Sequence, residues 1–187
     1  MSETLLVIDT ETGGLDSTRH SILSIGAVVY RRGQLGDKIE LIISEQNLSV
    51  EDDAMRVNKI DVQSLSKVGF TPQIAVAKFE DFLSSHFEPS RRITLVGHNV
   101  SFDIGFLKRL YRLAGADFER RFSHRSIDTA SILSYLRLAG KITLSKSGLD
   151  AALVHFGVEV RAERRHTALV DAEATAELLD ALIFFIK

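Results

Sequence analysis

The chain has 187 residues, 45% hydrophobic and 26% charged, with a formal net charge of −2 and no cysteine. These totals fit one globular domain with a continuous core, and they exclude disulfides, zinc–thiolate sites, iron–sulfur clusters and cysteine nucleophiles. The longest apolar runs are too short to cross a bilayer, and Met1-Ser2-Glu3 is not the basic start of a signal peptide, so we expect a soluble cytoplasmic protein. The slightly negative net charge does not indicate a polyanion partner. Cations held by clustered acids would, however, make the local electrostatic potential positive.

The first predicted element is a buried strand of four consecutive apolar residues, Leu5 to Ile8, which runs into Asp9 and Glu11 and then a glycine pair. Side chains alternate along a strand, so the two carboxylates point the same way. Two carboxylates aimed at one point repel unless a cation bridges them, and Mg²⁺ and Mn²⁺ prefer oxygen ligands. The end of the strand therefore predicts a metal site, with a polar turn as the alternative.

A hairpin and a helix are predicted next along the chain. The elements are strands over 21–30 and 39–43, a short helix near 62–68, a helix over 72–87 and a strand over 93–97. The turn-like residues 32–37 between two β-rich runs make the strand pair an antiparallel hairpin. Thr71 and Pro72 supply a helix cap and a first-turn proline.

The second half of the chain is mainly helical. Its elements are a helix capped by Ser101 and ended by Gly115, a strand over 125–127, and helices over 128–138, 147–156 and 169–186. Asp128 is the predicted cap of the second of these helices. The order predicts an α/β layer with a mixed sheet, in a single domain over 1–187.

Two further acids and a histidine stand at helix starts. Asp103 falls in a first helical turn, where the partial positive charge of the helix keeps a carboxylate ionised, although acids are also common there for stability alone. His166 and Asp171 are five residues apart, about 140° on one helix, so His166 is expected on the loop that enters the last helix. That arrangement could place an imidazole and a carboxylate on either side of a water.

Three segments carry these residues, and together they closely resemble the three motifs of the DEDDh exonucleases. The segments are IDTETGGL at 8–15, HNVSFDIGFL at 98–107 and HTALVDA at 166–172. The family includes the proofreading epsilon subunit of bacterial DNA polymerase III and ribonuclease T, and the resemblance runs from about Thr4 to Leu182. It implies an α/β, ribonuclease H-like fold, a five-stranded mixed sheet flanked by helices.

By that resemblance Asp9, Glu11, Asp103 and Asp171 would hold two divalent ions, Mg²⁺ or Mn²⁺, and His166 would be the general base. Two metals can activate an attacking water and stabilise the leaving 3′-oxygen of a phosphodiester. An imidazole with a pKa of about 6.5 can accept the proton near neutral pH. The products would be nucleoside 5′-monophosphates, released from the 3′ end.

Substrate contacts are also implied by the resemblance, at Thr12, Gly14, Leu15, His98 and Phe102. Gly14 and Leu15 match the family's turn after the first motif, where an apolar side chain wedges against the terminal base. His98 and Phe102 could contact the terminal nucleotides, because aromatic stacking on a base is worth about 1–3 kcal/mol. The alternative for Phe102 is core packing.

Two features of the chain concern substrate and partners. Gly13 stands where the polymerase subunit usually has threonine, and the chain stops at Lys187 without the polymerase-binding tail of proofreading subunits, which indicates a stand-alone nuclease or a catalytic fragment. Arg161, Arg164 and Arg165 could grip phosphates or form a solvated loop.

The leading hypothesis is an exonuclease on single-stranded DNA, with possible polymerase association. The alternatives are an exoribonuclease acting on RNA ends and a non-catalytic nucleic-acid-binding or polymerase accessory module. His20 has no partner pattern and is assigned a structural role.

Overall fold

The computed structural model describes residues 4–31, 33–58, 62–146, 148–159 and 167–186. Its elements in chain order are β1 (Thr4–Thr12), β2 (Ile22–Arg31), β3 (Gln34–Ile42), α1 (Asp52–Asn58), α2 (Val62–Val68), α3 (Pro72–His86), β4 (Ile93–Gly97), α4 (Val100–Ala114), α5 (Phe118–Arg121), β5 (Phe122–Asp128), α6 (Thr129–Leu138), α7 (Leu149–Phe156) and α8 (Ala168–Ile186). The predicted order of elements is confirmed, and the short helices α1 and α5 are additions. Within these described ranges, no helix combines the length and the apolar character needed to span a membrane.

The five strands form one mixed sheet in the order β3-β2-β1-β4-β5, which confirms the predicted fold class. β1 is antiparallel to β2 and parallel to β4, and β4 is parallel to β5. Parallel strands end at the same edge of a sheet, so the carboxyl ends of β1, β4 and β5 meet there. The acids that end β1 and the helix starts that follow β4 and β5 are brought to one place.

The two faces of β1 pack against different helices. Leu6 and Ile8 belong to the core that includes residues of α3 and α4, whereas Leu5 and Val7 pack with apolar residues of α8. Because side chains alternate along a strand, the odd-numbered positions continue toward the α8 side and the even-numbered positions toward the α4 side. This alternation decides which helix each polar residue at the end of β1 meets.

Helix α8 lies very close to the sheet because β2 has a glycine at the crossing point. A Cβ built on Gly26 would be 2.2 Å from the carbonyl carbon of Ala168 and from the amide nitrogen of Leu169. The Tyr30 hydroxyl donates a hydrogen bond of 3.0 Å to Asp180, and Lys38 forms an ion pair with Glu173. The start of α8 is thereby held beside the carboxyl end of β1.

Several predicted boundaries were wrong by a few residues. The hairpin turn is shorter than predicted, since Gly33 has a φ of 79° and β3 begins at Gln34. The N-cap of α4 is Asn99 in the left-handed region, with a φ of 66°, and not Ser101. Helix caps depend on backbone geometry set by neighbouring strands, which short polar side chains at several adjacent positions do not reveal.

Candidate active site

Three of the predicted ligand side chains converge at the carboxyl end of β1. One carboxylate oxygen each from Asp9, Glu11 and Asp171 lies within 4.8 Å of the other two, and all three residues are half-buried. Asp9 and Glu11 are odd-numbered positions of β1 and face α8, as the alternation of the strand requires. The geometry agrees with the predicted direction of these two side chains.

Asp171 reaches the same point because α8 starts against the sheet. Asp9 is paired with Gly26 in the β1–β2 register, and Gly26 is in contact with Ala168. The Asp171 N–H donates to the Thr167 carbonyl at 3.1 Å, which places the acid in the first turn of the helix. Three carboxylates at this spacing form an all-oxygen donor set, which suits hard divalent cations. The residues present therefore fit the metal ions implied by the motifs.

Asp103 approaches the end of β1 from the other side of the sheet. It is buried, and its Oδ1 accepts a hydrogen bond of 2.8 Å from the hydroxyl of Thr10, an even-numbered position that faces α4. Burial raises the pKa of Asp103 to about 7, although hydrogen bonds from the Thr10 hydroxyl and backbone favour the ionised form. The structure thus brings three of the four predicted acids together. The fourth, Asp103, is hydrogen-bonded to Thr10, which lies between Asp9 and Glu11 on β1.

The ends of β4 and β5 are joined by a small hydrogen-bond network. The Thr129 hydroxyl donates to the Gly97 carbonyl at 3.1 Å and lies 2.9 Å from Nδ1 of His98. Asp128 caps α6 as predicted and also accepts the N–H of Asn99 at 2.7 Å. These contacts fix the left-handed backbone at the start of α4 and hold His98 at the edge of the sheet.

A cleft of about 470 Å³ opens beside the acids. It is lined by Asp9, His98, Lys146, Gly148, Leu149, Asp150, Ala151 and Asp171. Sequence reasoning found His98 but missed Lys146 and Asp150, which belong to the loop and first turn of α7. No spacing pattern links these residues to Asp9, and only the packing of α7 against α8, the helix that carries Asp171, brings them to the cleft.

The other predicted substrate contacts lie in two environments. Thr12 is buried, and its hydroxyl donates to the Gly14 carbonyl at 2.8 Å. Leu15 is 83% exposed, so its side chain is available to a ligand. Phe102 is half-buried and packs 5.0 Å from the ring of Phe106, so part of this side chain serves the core.

The predicted general base and its neighbouring cations lie outside the described residues. They are His166, Arg161, Arg164 and Arg165. The sequence places His166 immediately before Thr167, which is the first residue of the described segment that leads into α8.

The mixed five-stranded sheet is that of the predicted ribonuclease H-like fold, and three carboxylates gather at the end of its central strand. The exonuclease family model RNase_T matches residues 6–179. The chain belongs to this exonuclease family.

The relatives of this chain include DNA polymerase III proteins and ribonuclease T. Ribonuclease T of Haemophilus ducreyi is 25% identical over 97% of this chain and 86% of its own length. The DNA polymerase III epsilon subunit of Salmonella typhimurium is 26% identical over 95% of this chain and 70% of its own. The PolC-type DNA polymerase III of Clostridium perfringens is 27% identical over 93% of this chain, which spans only 11% of that polymerase.

Solved structures share the fold. The zinc-bound complex of Escherichia coli exonuclease I with single-stranded DNA superposes with a TM-score of 0.83 at 15% identity, over 98% of this chain and 41% of the other. The nuclease domain of 3′hExo, a DEDDh family member bound to rAMP, gives a TM-score of 0.76 at 16% identity, over 98% and 92% of the two chains.

Proposed function

We propose that residues 1–187 form one exonuclease domain that removes nucleoside 5′-monophosphates from the 3′ end of single-stranded DNA. The observation that carries this proposal is the convergence of Asp9, Glu11 and Asp171 in a chain of the exonuclease family. A non-catalytic binding module has no use for clustered negative charge that faces a polyanion. The exposed Leu15, four residues after Glu11 in the chain, supplies an apolar contact for a terminal base.

Asp9, Glu11 and Asp171 are proposed to hold the divalent cations, Mg²⁺ or Mn²⁺, with Asp103 as the fourth acidic group. When bound, the ions would supply positive charge that favours ionisation of water and stabilises the leaving 3′-oxygen. The hydrogen bond from Thr10 orients the Asp103 carboxylate, and the contact of Gly26 with Ala168 keeps Asp171 near β1.

His166 is proposed as the general base that accepts a proton from the attacking water. Its place in the sequence, directly before the helix that carries Asp171, supports this role. A neutral imidazole is well suited to proton transfer near pH 7 because its ordinary pKa is about 6.5. His98, held by Thr129 at the cleft, is proposed to contact the terminal nucleotide together with the exposed part of Phe102.

An exoribonuclease is the second candidate. Ribonuclease T relatives align over most of their length, and a structural neighbour is described with bound rAMP. DNA is placed first because the epsilon subunit and PolC relatives are DNA polymerase components and the exonuclease I neighbour is described with single-stranded DNA. Association with a polymerase and a cytoplasmic location stay predictions.

The test is a paired digestion of DNA and RNA oligomers of matched sequence, each labelled at the 5′ end, with Mg²⁺ or Mn²⁺. We expect stepwise shortening from the 3′ end, release of mononucleotides and faster turnover of DNA. A 3′-phosphate should block the reaction and a 5′-phosphate should not. A strong preference for RNA would replace the first candidate with the second, and cleavage of a circular single strand would contradict exonuclease action.

The matched control is Asp9→Ala, which removes one of the converging carboxylates. We expect loss of turnover on both substrates together with weaker Mg²⁺ binding by calorimetry. Full activity in this variant would contradict the assignment of the site, because a contaminating nuclease would not depend on Asp9.

A further inference from the structure

Leu15 projects from the loop that joins β1 to β2, and its side chain is 83% exposed. Burial of a leucine side chain stabilises a fold by about 1.5–3 kcal/mol. The exposed Leu15 does not make this contribution. A contact between Leu15 and a terminal base would require the loop to hold one position, because ordering a mobile loop on binding weakens affinity. The groups that hold this loop therefore matter for substrate binding.

The loop closes over the imidazole of His20, whose exposure is only 5%. Nδ1 of His20 accepts the backbone N–H of Asp16 at 3.1 Å. Nε2 lies 3.1 Å from Oε1 of Glu51 and donates to it. Nδ1 thus binds the loop, and Nε2 binds the segment that contains Glu51. The fold therefore gives His20 two partners, Asp16 and Glu51, that the sequence did not indicate.

The backbone beside Leu15 rests directly on this ring. A Cβ built on Gly14 would be 2.5 Å from Nδ1 of His20, so the absence of a side chain at Gly14 permits the contact. The Gly14 carbonyl accepts the Thr12 hydroxyl, and the Gly13 carbonyl accepts the N–H of Glu51 at 2.6 Å. The residues preceding Leu15 are therefore held by β1, by His20 and by the Glu51 segment.

We propose that His20 is a positioning residue, which fixes the loop so that Leu15 meets the terminal nucleotide in a single orientation. The proposal rests on the proposed function, since it assigns Leu15 to the substrate. A histidine with a purely structural role would change the stability of the fold and leave the contribution of Leu15 intact. A positioning histidine acts through Leu15, so the effects of the two residues must be coupled.

The experiment is a double-mutant cycle with His20→Ala, Leu15→Ala and the double variant, measured on a single-stranded DNA oligomer with Mg²⁺. We expect each single variant to raise KM by about tenfold with kcat changed less than about threefold, because misplacement of a substrate contact costs binding first. The double variant should resemble either single variant. Independent effects, which multiply to about a hundredfold, would overturn the proposal.

A matched control exists in the pair of His86 with Asp37, where Nε2 and Oδ2 are 3.5 Å apart. His86→Ala removes a second histidine–carboxylate contact, from the end of α3, and should leave KM unchanged. Combined with Leu15→Ala, its effect should be additive. A rise in KM for His86→Ala equal to that for His20→Ala would show that general loss of stability is the cause and would overturn the proposal.

A readout that does not need activity comes from leucine methyl NMR and from exchange of the Asp16 amide hydrogen. We expect His20→Ala to broaden or shift the Leu15 methyl signals and to speed Asp16 exchange, and His86→Ala to do neither. His20→Gln keeps a side-chain donor toward Glu51 and should recover part of the wild-type KM. Unchanged Leu15 signals in His20→Ala would overturn the positioning role, whereas an inactive wild-type protein would refute the proposed function itself.

Discussion

At the scale of single residues, the burial of Asp103 opposes the ionisation that a metal-binding carboxylate needs. Its carboxyl group is 3% exposed and bonded to Thr10, and burial raises its pKa to about 7. A carboxylate with a raised pKa is costly to ionise in the folded state, since desolvation penalises the charged form. A cation bound at the neighbouring acids would stabilise the ionised carboxylate and offset this cost. In the metal-free protein, the ionised Asp103 therefore lowers the stability of the fold.

The first prediction concerns the pH dependence of stability in Asp103→Asn. In the metal-free protein the folded state keeps this proton up to about pH 7, whereas the unfolded chain loses it near 3.8. The stability that Asp103 contributes is thus fully present below about pH 3.8 and is lost progressively as pH rises to about 7. We expect the Tm of Asp103→Asn, relative to wild type, to be higher at pH 8 than at pH 5 in EDTA.

The same variant should lose most of its exonuclease activity, because asparagine keeps the hydrogen bond from Thr10 but not the charge. Thermal unfolding and digestion assays on one preparation check both effects. A Tm difference that does not change with pH would contradict the raised pKa.

The second prediction is that His166→Ala slows turnover by about 10²–10⁴-fold, the usual contribution of a general base. Mg²⁺ affinity should stay near the wild-type value, because the converging carboxylates remain. Single-turnover digestion and calorimetry check the two quantities. A large loss of Mg²⁺ affinity in this variant would show that His166 holds the ions.

At the scale of elements, the site is produced by the contact between α8 and the sheet. Gly26 permits the approach of Ala168, and the bonds of Tyr30 with Asp180 and of Lys38 with Glu173 fasten the rest of the helix. Asp171 follows Ala168 by less than one turn, so a displacement of the helix start moves this carboxylate directly.

The third prediction is that Gly26→Ala lowers both stability and activity. The added methyl group would overlap the Ala168 backbone, and overpacking of this kind costs about 1–3 kcal/mol. We expect a lower Tm, weaker Mg²⁺ binding and a kcat reduced about tenfold or more. The control is Gly36→Ala on the edge strand β3, where the three heavy atoms nearest to the new Cβ all belong to Val29, with its carbonyl oxygen at 3.2 Å. Equal losses of kcat in both variants would contradict the role of the Gly26 contact.

At the scale of the whole molecule, charge sets the conditions for binding a polyanion. The chain carries a formal net charge of −2, and the cleft is lined by Asp9, Asp150 and Asp171 with Lys146 and His98. Bound divalent cations would change the sign of the field in this region. Nucleic-acid binding should therefore depend on the metal, as turnover does.

The fourth prediction is that EDTA weakens binding of a fluorescent single-stranded DNA by about tenfold or more, measured by anisotropy with His166→Ala to slow digestion during the measurement. Mg²⁺ should also raise the Tm, by an amount that corresponds to about 2.7 kcal/mol at a hundred times its Kd, because it binds the folded state. Asp171→Asn should remove most of this increase, and Asp81→Asn on the exposed face of α3 should not. DNA affinity that is insensitive to EDTA would contradict the metal-dependent site.

The sequence by itself determined the strand that carries Asp9 and Glu11, the hairpin, the long helices and the family, because alternation, helical periodicity and motif spacing are local properties of the chain. It did not reveal α1 and α5, which are short and depend on surrounding contacts for their stability. The family resemblance also gave Leu15 as a candidate contact, without the group that holds it.

Only the tertiary structure decided which residues meet. It placed Asp103 on the α4 side of β1 and Asp171 on the α8 side, added Lys146 to the cleft, and put the His20 ring beneath Gly14. These contacts join residues far apart in the chain, and each depends on how closely two elements pack. Packing distance is set by the fit of whole surfaces, such as α8 against Gly26, and no local spacing in a sequence encodes it.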